Sequence, residues 1–158
     1  ILVDKCVLTV DSSYTFHHSC KTYLLTPNPG ATGTYEEITR PTTKIWHKLS
    51  LSPDETKVAY MLDEGSQLST YEDCAIYIAD FDKNTLTISN QKAISDLNLS
   101  YIDEYPRWSK DGTILAYDSN RSGKYQVYAY RLFDGMTKRI SPDKTKDYQF
   151  ISFEGSPK

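Results

Sequence analysis

Apolar and polar residues alternate along this chain with a period of two, in short runs each closed by Asp, Asn, Ser, Gly or Pro. Such alternation suits half-buried strands, because successive side chains leave a strand on opposite faces. No window of a dozen residues keeps the 3.6-residue apolar spacing of a helix. Gln91 to Leu99 comes nearest, with Ala93, Ile94 and Leu97 able to share one face for two turns. The pattern predicts an all-β chain.

The runs also repeat. Ile45 to Asp82 reads IWHKLSLSPDETKVAYMLDE, an insertion, then CAIYIADFD; Glu104 to Asp134 reads EYPRWSKDGTILAYDSNRSGKYQVYAYRLFD. Ser52-Pro53-Asp54 precedes Ser109-Lys110-Asp111 by 57 residues, and Val58-Ala59-Tyr60 precedes Leu115-Ala116-Tyr117 by the same 57. Ala75-Ile76-Tyr77 then precedes Gln126-Val127-Tyr128 by 51, so the slip falls around Glu64 to Asp73, where a loop lengthens at little cost. Each unit therefore has four strands: one ending in Ser-x-Asp, a Val-Ala-Tyr strand, a Val-Tyr strand, and an outer strand ending near Ile-Ser (Thr85 to Ser89, Met136 to Ile140). Pro53 presets φ for the first turn, and Asp111-Gly112 suits one that needs positive φ. An incomplete copy opens the chain, with Lys5 to Asp11, Lys21 to Thr26 and Tyr35 to Thr39 matching all but the first strand. Tyr148 to Phe153 reads as a first strand with nothing after it. The expected organisation is a single segment, 1–158, with units at about 1–40, 45–90 and 104–141 and an extra strand at 147–154.

Tandem four-stranded antiparallel units are the mark of β-propeller blades. Tyr105-Pro106-Arg107-Trp108-Ser109-Lys110-Asp111-Gly112, Ile114 to Tyr117, Ser119-Asn120-Arg121, Gly123 and Gln126-Val127-Tyr128 together resemble the blade repeat of TolB-like (WD40-like) propellers. The likeness is specific for the third unit, partial for the second, where Leu51 replaces the tryptophan, and weak for the first. Lys110 stands in place of the usual proline and Glu55 in place of the glycine, both at turns. The resemblance implies blades arranged around a central channel. A ring closes with about 4–8 blades, whereas this chain supplies about three. Two readings follow: a partial ring cut from a longer propeller, or a homo-oligomer in which two chains complete a six-bladed ring. A β-sandwich of the same strands is the lesser option.

Composition narrows the function classes. Tyr occurs 13 times in 158 residues, in keeping with strands. The formal charge of −3 argues against a nucleic-acid partner, which asks for a basic patch. No apolar run approaches the ~20 residues of a membrane helix. No signal peptide is visible, since Ile1 starts inside a strand-like run, although a leader removed earlier would leave the same start. Three cysteines, Cys6, Cys20 and Cys74, form neither a disulfide framework nor a zinc pattern. Cys6 and Cys20 could bridge in an oxidising compartment; free buried thiols are the plainer account. His17, His18 and Cys20 are a poor metal set, because adjacent strand residues point to opposite faces.

No G-x-S-x-G elbow, P-loop, dinucleotide glycine pattern, H-E-x-x-H or C-x-x-C occurs. We therefore expect no catalytic residue, no cofactor and no metal site. The Asp80-Phe81-Asp82 and Asp118-Ser119-Asn120 stretches could offer oxygen ligands to calcium, but polar hairpins commonly look this way. The stretch to watch is Asp103, Glu104, Tyr105 and Arg107, which leads into the innermost strand of its unit and would line the channel mouth. Such a cluster can grip a peptide or sugar; the plainer account is an Arg107–Asp103 or Arg107–Glu104 pair ordering the loop. Trp108 reads as core between blades. Trp46, His47 and Tyr71-Glu72-Asp73 are rim candidates.

The leading expectation is a non-enzymatic scaffold for a protein or peptide partner. By family resemblance it would work in the bacterial periplasm or cell envelope, or be secreted. The alternative is the gating propeller of a serine oligopeptidase-like enzyme, which a G-x-S-x-G elbow beyond Lys158 would favour. A propeller lyase acting on acidic sugars ranks last, because it needs a histidine-rich metal centre and only three histidines occur.

Overall fold

The computed structural model describes residues 2–10, 16–26, 30, 33–39, 46–63, 74–95 and 101–149. Every element among them is a strand or a turn. The first sheet holds β1 (Leu2–Val10), β2 (Phe16–Thr26) and β3 (Thr34–Glu37) in that order. The second runs β4 (Trp46–Leu51), β5 (Lys57–Asp63), β6 (Cys74–Asp82), β7 (Thr87–Ala93). The third runs β8 (Asp103–Trp108), β9 (Ile114–Ser119), β10 (Gln126–Arg131), β11 (Thr137–Arg139). Neighbours pair antiparallel throughout, so the second and third sheets are the expected four-stranded meanders.

The repeat reappears bond for bond at the first turn. Ser52 Oγ donates to Asp54 Oδ1 at 2.7 Å, as Ser109 Oγ does to Asp111 Oδ1 at 2.7 Å. The same hydroxyls accept from Lys57 N at 2.9 Å and Ile114 N at 3.0 Å. Glu55 (φ 58) takes the left-handed position that Gly112 (φ 71) fills in the third unit, so the departure from glycine keeps the turn at the expense of strain. Hydrogen bonds from the turn hold both aspartate carboxyls below their ordinary range, the seryl hydroxyl contributing most in each.

The outer strand of the second unit differs from expectation. It spans Thr87–Ala93, and the Ile–Ser pair that closes the unit is Ile94–Ser95, not Ile88–Ser89. Ile94 N donates to Ile76 O at 2.9 Å just as Ile140 N donates to Val127 O at 2.8 Å. A bulge explains the shift: three steps from Ser89 to Lys92 face two from Asp80 to Ile78, with Asn90 at φ 51. The helix-like spacing of Gln91 to Ile94 thus belongs to a bulged strand and its end.

The second sheet is covered on both faces. Val58, Tyr60 and Leu62 pack with Trp46, Leu24 and Ile38 toward the first sheet. Ala59, Met61, Cys74 and Ile76 pack with Trp108, Leu115, Tyr117 and Tyr130 of the third. Trp108 is core as expected, and its Nε1 donates to Ser50 O at 2.9 Å, tying the two sheets together. Trp46 is no rim residue: it is fully buried and stacks on Tyr60 at 4.2 Å. The first strand of the third sheet, β8, lies against β4, β5 and β6, while the last strands of the two sheets make no comparable contact. The sheets therefore fan out from an inner edge. Residues 147–149 of the expected extra strand follow the start of β10, where Tyr148 N donates to Tyr125 O at 2.9 Å; the remainder of that strand, the Tyr71–Asp73 insertion and the loop at Pro27–Pro29 lie outside the described residues.

Candidate functional site

The inner edge carries two bulges at one repeat position. In β4, His47 to Ser50 spans three steps against two from Met61 to Ala59, with Lys48 at φ 55. In β8, Glu104 to Arg107 spans three steps against two from Asp118 to Ala116, with Tyr105 at φ 55. Left-handed backbone costs a residue with a Cβ roughly 1–2 kcal/mol, so the surrounding ladder imposes both. The bulges bring Lys48 Nζ to 4.6 Å from the centre of the Tyr105 ring, a cation–π contact between adjacent units.

Glu104 is half-buried beside this pair. Burial raises its carboxyl above the usual range, against the opposing pull of a Tyr125 hydrogen bond and the Lys48 charge. Burial, then the Glu104 charge, pushes the Tyr125 hydroxyl up to about 12, so at neutral pH it keeps its proton and donates to the carboxylate. Arg107 Nη1 donates to Pro106 O at 2.9 Å. Lys48 of β4 with Glu104, Tyr105 and Arg107 of β8 thus brings together both charge signs, an aromatic ring and a half-buried carboxylate.

Asp103 stands apart from them. It is fully buried, and its Oδ2 accepts from Arg121 Nη2 at 2.7 Å; this replaces the expected pair with Arg107. The register explains the difference, because Asp103 lies opposite Ser119 and the turn that follows places Arg121 over it. Arg121 Nε also donates to Ser119 Oγ at 2.8 Å, and Nη2 to the Tyr117 hydroxyl at 3.2 Å. Its guanidinium lies 4.8, 4.5 and 5.5 Å from the ring centres of Tyr101, Tyr128 and Tyr117. Burial opposes this charge, yet the Asp103 hydrogen bond and neighbouring charges hold the guanidinium above its ordinary value. Asp103 occupies the repeat position of Trp46, 57 residues earlier. Where the second unit stacks Trp46, Tyr60 and Tyr77, the third stacks an arginine plane anchored by Asp103 on the equivalent Tyr117 and Tyr128. The Asp103–Arg121 pair is architecture.

Glu104, Tyr105 and Arg107, singled out in the sequence, share β8, and the structure brings Lys48 and Tyr125, which were not singled out, beside them. Lys48 was readable from its 57-residue offset to Tyr105. Tyr125 carried no signal. Among the described residues no group of three or more His, Cys, Asp or Glu is placed to hold a metal ion, and no helix is long and apolar enough to cross a membrane.

A second surface lies on the outward face of the third sheet. Ile114, Ala129, Arg131, Met136, Lys138 and Ile140 line a shallow groove of about 400 Å³. Met136 and Ile140 are exposed there, as is Phe133 in the neighbouring turn. In the second sheet the corresponding face is covered by the third.

No protein-family model matches the sequence, and no curated protein sequence does. Solved structures do match. A TolB structure from Agrobacterium tumefaciens is similar over 89% of this chain at 19% identity, with a TM-score of 0.52. TolB from Acinetobacter baumannii is similar over 85% at 21% identity and the same TM-score of 0.52. The chain has the fold of TolB-type propeller blades. It spans 43% of the first TolB chain and 28% of the second, an arc of a ring. A puromycin-hydrolyzing peptidase of Mycobacterium tuberculosis is similar over 86% of the arc and 23% of its own length, at 11% identity and a TM-score of 0.55. In these terms the second and third sheets are two blades, with β4 and β8 as their first strands.

Proposed function

We propose that this chain is a non-enzymatic propeller scaffold that binds a peptide segment of a protein partner along the inner edge formed by β4 and β8, in the periplasm of a bacterial envelope. The observation that carries the reading is the juxtaposition of Lys48, Glu104 and Tyr105 at paired bulges. An edge strand offers unpaired backbone N–H and C=O groups, which an extended peptide can pair with. Lys48 and Arg107 suit acidic side chains or a terminal carboxylate, Glu104 suits a basic one, and Tyr105 adds a ring at little entropic cost. The absence of a nucleophile–base motif in the sequence supports the non-enzymatic role. The envelope location comes from the family resemblance.

Selection of a random-peptide display library on the folded chain tests this. Enriched peptides are expected to lose at least about tenfold in affinity on Lys48→Ala and Tyr105→Ala, a change of about 1.4 kcal/mol, with the circular dichroism of both variants unchanged. Affinity unchanged from the parent chain in both variants would overturn the reading. The likeness to the puromycin-hydrolyzing peptidase favours a second one, a gating propeller beside a hydrolase domain. A continuation of the polypeptide carrying a G-x-S-x-G elbow would select it.

A further inference from the structure

We propose that Cys6 and Cys20 are joined by a disulfide across β1 and β2 once the protein meets an oxidising environment. The two strands pair without a bulge from Leu2↔Leu24 to Val10↔Phe16, and Cys6 stands directly opposite Cys20 in that ladder. Directly opposed residues of an antiparallel pair share one face, with Cα atoms about 5.5 Å apart at hydrogen-bonded positions and about 4.5 Å at the others. Disulfides span Cα separations of roughly 4.4–6.8 Å. Both separations fall within that range, whereas a slip of one residue would put the two cysteines on opposite faces.

The third cysteine does not compete. Cys74 is buried in the core between the second and third sheets, on the face of the second sheet turned away from the first. The oxidant is a molecular disulfide, either oxidised glutathione or a thiol–disulfide exchange protein. One cysteine thiolate attacks it, breaking its S–S bond and forming a mixed disulfide. The opposite cysteine then attacks that sulfur and expels the second thiol of the oxidant. Two thiols of the chain lose two electrons and two protons, and one oxidant disulfide becomes two thiols. The bridge pins β1 to β2 in the three-stranded first sheet.

The test supplies the oxidant itself, so its outcome is independent of the compartment proposed above. The folded chain is equilibrated with oxidised glutathione, denatured without reductant, alkylated with iodoacetamide and digested for mass spectrometry. The expected result is alkylation at Cys74 alone, with the Cys6 and Cys20 peptides linked at two hydrogens below their summed mass. Full alkylation of all three cysteines is expected only after reduction. Alkylation at Cys6 and Cys20 in the unreduced sample, stable glutathione adducts on them, or a bridge to Cys74 would overturn the proposal. Cys20→Ser should expose Cys6 to alkylation or to a glutathione adduct; loss of the Cys6 signal to a Cys74 bridge would count against it.

Discussion

Lys48 and Tyr105 occupy the same position in successive repeats, both with φ 55, and the ammonium of the first lies 4.6 Å from the ring centre of the second. The repeat thus supplies both halves of the contact: each unit contributes a bulge, and stacking the units brings the two bulges together. Two strained residues side by side on the inner edge are what the peptide-binding proposal rests on.

The strain is directly measurable. In an ordinary strand, glycine is worse than alanine by about 0.5–1 kcal/mol. At φ 55 the order should invert: Lys48→Gly should be more stable than Lys48→Ala by about 1 kcal/mol. Urea unfolding of the two variants checks this. The ordinary order would mean that Lys48 is not held in left-handed backbone.

The Asp103–Arg121 pair gives a larger effect. Asp103 is fully buried, so Arg121→Ala leaves a carboxylate without its counter-charge and should destabilise by about 3 kcal/mol. Arg121→Lys should recover little of that, because an ammonium cannot stack as a plane among Tyr101, Tyr117 and Tyr128. Adding Asp103→Asn to Arg121→Ala should cost less than the sum of the two single changes. Full rescue by lysine, or strict additivity, would contradict the assignment.

Glu104 predicts a pH signature. Its carboxyl is raised on folding, chiefly by burial, so the folded state binds the proton more tightly than the unfolded chain. Stability from this group is fully present below the unfolded carboxyl value and is lost as pH rises through the folded one. Glu104→Gln should therefore stabilise the protein at neutral pH, with a gain that shrinks as the solution is acidified into the carboxylate range. A gain that stays constant with pH would remove titration as its cause.

Ile94 and Ile140 close equivalent units but differ in cover. Ile94 packs against the core shared by the second and third sheets, whereas Ile140 is exposed on the outward face of the third. Ile94→Ala should cost about 1–2 kcal/mol, below the full-burial range, and Ile140→Ala within about 0.5 kcal/mol. Equal losses in thermal or urea unfolding would show that the outward face is already covered in solution.

The turns and the four-strand order were legible because they depend on local chemistry. Ser-x-Asp builds the same hydrogen bonds wherever it occurs, and the Val-Ala-Tyr and Val-Tyr runs alternate cleanly. The bulges were not legible, because an inserted residue merely slips the alternation by one, as at Asn90, and reads as noise or as a helical spacing. The Asp103 partner was missed for a related reason. Sequence proximity suggests Arg107, but the cross-strand register brings Arg121 instead. Trp46 lies outside the recognised motif, whose tryptophan is Trp108, so the sequence leaves it at the rim; burial and the stack on Tyr60 reveal its role.

Backbone-amide NMR of the chain titrated with a library-selected peptide tests the central claim most directly. The account predicts that the largest shift changes fall on β4 and β8 around Lys48, Glu104 and Tyr105, with the groove at Ile114, Ala129 and Ile140 silent. Changes concentrated on that groove, with the inner edge unmoved, would contradict it.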